Sequence, residues 1–126
     1  MPNSGEIAIL YVPCGSEEEA VRIATTLIRE ALIACANIVA SRSLYLWQDG
    51  LADETEHILL CKTAREAVEP ARARIEQLHS YDLPCIIAVE PASVNSDYAR
   101  WVLGQLSVRP GLVAQGANRT HGEVRG

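Results

Sequence analysis

Phenylalanine is absent from this chain of 126 residues, and methionine and lysine each occur once. A core without phenylalanine must be filled by Leu, Ile, Val and Ala, and a chain of this length can bury enough of them without staples. Cationic residues are also scarce: Lys and Arg number 11 against 16 Asp and Glu, for a net charge of -5. One lysine and an acidic balance exclude the basic footprint that phosphate backbones require, so no nucleic-acid partner is expected. No run approaches the roughly 20 apolar residues needed to span a bilayer. The opening MPNSGE lacks the charged-then-apolar layout of a secretory signal. A cytoplasmic protein without a membrane partner is expected.

Catalytic signatures are missing as well. G-x-S-x-G, G-x-x-x-x-G-K and H-E-x-x-H do not occur, and no nucleophile–base pair can be recognised, so the chain reads as a non-enzyme. The four cysteines, Cys14, Cys35, Cys61 and Cys85, include no C-x-x-C pair. Free thiols are expected in a reducing compartment. Cys35, Cys61 and Cys85 stand in apolar runs, where cysteine behaves as a small buried hydrophobe.

What is present is a regular succession of elements. Glu6–Val12 is a short apolar run of strand type. Ser16 and Glu19 then form a capping box, and helical spacing of Ala20, Ala24, Leu27, Ile28, Ala31 and Leu32 predicts a helix from Glu17 to about Ala34. A second strand follows over Asn37–Ala40 and Leu44–Trp47, with a polar break at SRS. Gln48–Gly50 supplies a turn, and Glu56–Thr63 a third strand. Pro70 places the start of the next helix near itself. Leu83–Val89 predicts a fourth strand and Asn95–Leu106 a third helix. This is the order of an α+β, ferredoxin-like split βαβ (βαββαβ plus a C-terminal helix) with an antiparallel sheet. Residues 1–107 make a single domain, and 108–126, without periodicity, a flexible tail. The sheet face left bare by the helices carries Ile, Leu, Cys and Val, so another protein surface is expected to cover it.

Two groups of side chains could carry chemistry. LHSYDLPC, Leu78–Cys85, combines His, Tyr, Asp and Cys, but a helix end, a turn and a strand scatter them. His79 suits the negative end of a helix, and metal ligation is the competing reading. At Cys14 a helix N-terminus lowers the thiol pKa while Glu17, Glu18 and Glu19 raise it, leaving a soft-metal ligand open. The second group is Tyr45, Trp47, Glu56, Lys62, Tyr81, Asp82, Tyr98 and Trp101. It reads as an intersubunit cleft, either an interface network or an anchor for a ligand.

Five motifs in order resemble the CutA family, linked to divalent cation tolerance. ACANI (Ala34–Ile38) is similar to an A-C-x-N-I element, and SLYLWQDG (Ser43–Gly50) to S-x-Y-x-W-x-x-G. Lys62-Thr63 closes the third strand in the same way. LHSYDLP resembles an H-P-Y-x-x-P corner and NSDYARW (Asn95–Trp101) an N-x-x-Y-x-x-W helix. The resemblance covers about residues 6 to 106. It implies a homotrimer, a role in the response to metal ions, and binding of copper or another divalent cation with no cofactor firmly required. It also implies metal ligands at an early cysteine and a histidine pair. Only His79 matches residue for residue; Leu78 takes the other histidine's place, and Cys14 is the nearest thiol to the cysteine's. A trimeric small-ligand sensor of the PII type, with ligands in intersubunit clefts, is the alternative.

Overall fold

The computed structural model describes residues 6–106. The tail expected over 108–126 lies outside the described residues. Strand β1 is Ile7–Cys14, helix α1 Glu17–Arg29, β2 Cys35–Trp47, β3 Gly50–Ala64, α2 Val68–Leu78, β4 Ile87–Val89 and α3 Ser96–Gly104. The sheet order is β2-β3-β1-β4, and every pairing is antiparallel. This is the ferredoxin-like arrangement that the element order predicts.

Helix α1 begins as expected: the Ser16 side chain accepts the Glu19 N–H at 3.1 Å. It ends five residues before the periodicity does. Ala31 takes φ 58°, its N–H bonds to Ile28 O at 3.0 Å, and Leu32 N–H bonds to Leu27 O at 2.9 Å. Those two bonds are a Schellman motif with alanine at the left-handed position. The apolar pattern continues past it because Ile33 and Ala34 turn inward to enter the sheet, with Ala34 N–H donating to Lys62 O at 2.9 Å. Thr63 Oγ1 donates to Leu32 O at 2.8 Å and fixes the same connection.

The SRS break is absent. β2 runs unbroken, with Ser41 opposite Glu56, Arg42 opposite Thr55 and Ser43 opposite Glu54. An exposed Arg42–Asp53 pair at 2.8 Å bridges the two strands there. β3 starts at Gly50, six residues before the apolar run, because a two-residue turn with Gln48 at φ 51° leaves no slack in the register. The result is a long hairpin projecting beyond the sheet body. Pro70 lies in the first turn of α2, where its missing N–H costs nothing, after a 3-10 turn over Arg65–Ala67. β4 is only Ile87–Val89, so Leu83–Ile86 runs outside the sheet.

Alternation along β1 and β3 separates two faces. Leu10, Val12 and Cys14 join Leu59 and Cys61 beneath α1 and α2, packed by Ile23, Leu27 and Ile75. Each such Leu or Ile is worth roughly 1.5–3 kcal/mol on burial. The phenylalanine-free core is filled as expected. On the opposite face α3 covers one end only, packing Ala99 and Val102 on Ile7 and placing Leu106 beside Ala64 and Ala67. Of the cysteines expected to be buried, Cys61 is, Cys35 is half-buried, and Cys85 is exposed because its segment precedes the short β4.

Alanine in a left-handed conformation is strained by about 1 kcal/mol. Ala31→Gly is therefore expected to raise stability by roughly 0.5–1 kcal/mol in urea titration despite the entropy that glycine adds to the unfolded chain. A lowered midpoint would show that the Ala31 methyl packs more than its backbone strains.

Candidate functional site

The corner after α2 is organised by Glu19, buried at the start of α1. One carboxylate oxygen accepts Gly15 N–H and the Ser80 hydroxyl, each at 3.1 Å; the other accepts Ser80 N–H at 2.7 Å. Burial pushes the Glu19 pKa up, but the Ser80 and Gly15 hydrogen bonds and the nearby His79 ring outweigh it and hold the carboxyl below its ordinary value. Glu19 thus caps one helix and clamps the exit of another.

His79 ends α2, its N–H bonding to Ile75 O at 2.8 Å. Its ring Nδ1 accepts Tyr81 N–H at 3.1 Å and its Nε2 donates to Pro13 O at 2.8 Å. Both nitrogens are committed. The ring packs edge-on to Tyr81, with centroids 4.7 Å apart. Tyr81 in turn donates its hydroxyl to Glu56 Oε2 at 2.7 Å within the same chain. Burial and the Glu56 carboxylate push the Tyr81 pKa up, so the hydroxyl stays protonated and donates. A parallel bond joins Tyr45 to Glu54 at 3.0 Å, and it is the main reason that the Tyr45 pKa is raised too.

These residues frame a cleft of about 470 Å³ on the open sheet face, at the root of the hairpin. Tyr45, Trp47, Glu56, Tyr81 and Asp82, all expected from the sequence, line it. Pro13, Glu54, Leu83 and Cys85 complete it. Glu54 was legible only once β3 is known to reach Gly50, which sets Glu54 and Glu56 on one face beside Tyr45. The other three members of the expected group lie elsewhere. Lys62 is six residues further along β3, roughly 20 Å away, and donates to Asn37 Oδ1. Tyr98 stacks on Trp101 at 5.7 Å and its hydroxyl meets Cys35 Sγ at 3.2 Å. The single expected cleft is therefore two clusters, at opposite ends of the face.

The expected metal ligands do not fit a resident ion. His79 has no free nitrogen. Cys14 is fully buried, its thiol 3.6 Å from Val12 O, and burial, with Glu19 and Glu56, pushes its pKa up to about 12. The helix N-terminus does not prevail over that desolvation. Among the described residues no three His, Cys, Asp or Glu side chains are grouped to hold a metal ion.

The geometry defines a class first: a ferredoxin-like α+β domain with an overlong β2–β3 hairpin and an acidic, aromatic cleft at its root. The model of the family described as CutA1 divalent ion tolerance protein matches residues 8–105, so the chain belongs to that family. It is similar to the divalent-cation tolerance protein CutA of Thermus thermophilus, 39% identical over 98 residues, covering 77% of this chain and 93% of that protein. The protein of the same name from Pyrococcus horikoshii is 36% identical over 95 residues, 75% and 93% of the two chains. Among solved structures, the divalent ion tolerance protein CutA1 from Ehrlichia chaffeensis superposes with a TM-score of 0.75 at 37% identity, covering 77% of this chain and 92% of that one. No described helix is long and apolar enough to cross a membrane.

Because the Glu19 pKa is lowered by folding, its clamp stabilises fully above the unfolded value near 4.5 and is lost as pH falls through the folded value. Thermal melts of the wild type should therefore fall as the pH drops below the unfolded value. Glu19→Gln should melt lower at pH 7 and lose part of that acid dependence. A variant with the wild-type profile would remove the clamp from the account.

Proposed function

We propose that the chain acts as a homotrimer in the cellular response to divalent metal ions. Copper or another divalent cation would be met by weak contacts rather than held in a resident site. The observation that carries the reading is the hairpin: Leu46 and Leu51 face each other near its tip, 80% and 68% exposed, with no layer of this chain beneath them. Val39, Tyr11, Ile87 and Val89 add a second exposed apolar surface on the open sheet, on the face opposite Leu46 and Leu51. A single chain leaves these surfaces in water, whereas copies packed around a threefold axis bury them. The cytoplasm is the compartment this reading assigns, with its cysteines kept as thiols. No catalytic step is assigned. The PII-type alternative draws support only from the cleft, which has no basic side chain in its lining for a nucleotide phosphate.

Light scattering should give three times 13.7 kDa. Obligate interfaces bury roughly 2,000 Å² or more, so Leu46→Glu should dissociate or unfold the assembly. A wild-type monomer at micromolar concentration would end the trimer reading.

Copper calorimetry should show weak binding that strengthens as pH rises, since thiol ligands must lose a proton. Cys85 is the exposed thiol at the cleft, which makes it the first candidate, and because burial and Glu56 raise its pKa its binding belongs to the alkaline side. Cys85→Ser should weaken binding, and His79→Ala with Cys14→Ser should leave it unchanged. The reverse pattern would restore the two ligands expected from the sequence.

A further inference from the structure

The open sheet face carries opposite charges at its two ends. Strand alternation sets Glu54, Glu56 and Lys62 on this one face of β3, with Lys62 roughly 20 Å from Glu56. At the hairpin end Asp82 joins the two glutamates in the cleft, whose lining contains no Lys, Arg or His. At the other end Lys62 gives one of its donors to Asn37 and keeps the rest. Among the described residues no carboxylate pairs with it. Between the two ends, Tyr11 and Val39, opposite Leu60 and Ile58, expose apolar surface.

A trimer that covers this face takes the cleft out of water, and carboxylates taken out of water need a cation. Tyr45 and Tyr81 each donate one hydrogen bond, to Glu54 and Glu56, which leaves lone pairs on both and the negative charge uncompensated. The chain has few cations to offer. Arg42, Arg65, Arg72, Arg74 and Arg100 each pair with a carboxylate of their own chain. Arg22 and Arg29 lie on α1, behind the sheet. Lys62 is the described cation that shares the cleft's face and has no acid of its own. Within one chain it cannot reach the cleft. A face with an acidic end, an apolar middle and a cationic end fits a second copy head to tail, the kind of contact that closes a ring. We infer that Lys62 of one copy enters the cleft of the next and completes it, its ammonium group bonded among Glu54, Glu56 and Asp82. The inference rests on the trimer proposed above, and it unites between copies the two clusters that one chain keeps apart.

Carbodiimide cross-linking of the full chain tests this, because the reagent joins an amine to a carboxylate in contact with it, and Lys62 is the only lysine. Denaturing gels should show covalent dimers and trimers, and peptide mapping should join Lys62 to Glu54, Glu56 or Asp82. The separation of roughly 20 Å within one chain makes such a link a link between copies. Lys62→Glu should lower the melting temperature by about 5 °C or more, and adding Glu54→Lys should restore most of the loss. Glu18→Lys, on an exposed turn of α1, should restore nothing. Equal rescue by both would mean net charge alone and would overturn the contact. Light scattering on the same samples separates the two readings. A trimer without these links, or with Lys62 joined to other carboxylates, would overturn the contact and leave the trimer standing; a wild-type monomer would overturn both. Should the charge-reversed variants fail to fold, the wild-type cross-links decide.

Discussion

The carboxylate of Glu19 is the constraint on which the site depends. It satisfies three donors from two segments, Gly15 four residues before it in the chain and Ser80 61 residues after it. With Ser80 held, His79 has one pose, spanning Pro13 O and Tyr81 N–H. With His79 held, Tyr81 reaches Glu56. The cleft is thus positioned by a relay of hydrogen bonds that begins at a helix cap. Its members are partly buried, where a hydrogen bond left unmade costs more than one made contributes. Removing one member disturbs those after it.

Much of the fold was legible because local signals and tertiary packing agree. The capping box, the helix periodicity and the two-residue turn all appear where the residues place them. Disagreements arise where tertiary contacts outweigh periodicity. Ile33 and Ala34 keep the helical pattern yet serve the sheet, because a Schellman turn intervenes at a residue without a glycine to announce it. SRS looks like a break because Ser, Arg and Ser have poor strand character, but a full ladder to β3 holds them. Leu83–Ile86 looks like strand and is not, since only Ile87–Val89 find partners on β1.

The site was half legible. Tyr45, Trp47, Glu56, Tyr81 and Asp82 converge as their residue types suggested, while Lys62, Tyr98 and Trp101 form a separate cluster with Cys35 and Asn37. Composition shows which side chains are suited to a site; distance along a strand decides which can share one. For the same reason, His79 and Cys14 were readable as ligands until their partners were known. A histidine with both nitrogens engaged and a thiol held protonated by burial are structural groups.

The hairpin divides the chain into regions of unequal protection. Between Cys35↔Lys62 and Val39↔Ile58, β2 and β3 lie against packed helices or α3, and their amides can exchange with solvent only when the whole domain opens. Beyond Ser41↔Glu56 the ladder continues for six more pairs with water on both sides. Those amides open by fraying inward from Gln48, at a free energy set by a two-stranded ribbon that is marginal in isolation. The arm is therefore a soft extension of a firm domain, and its rigidity is a property that a neighbouring surface confers.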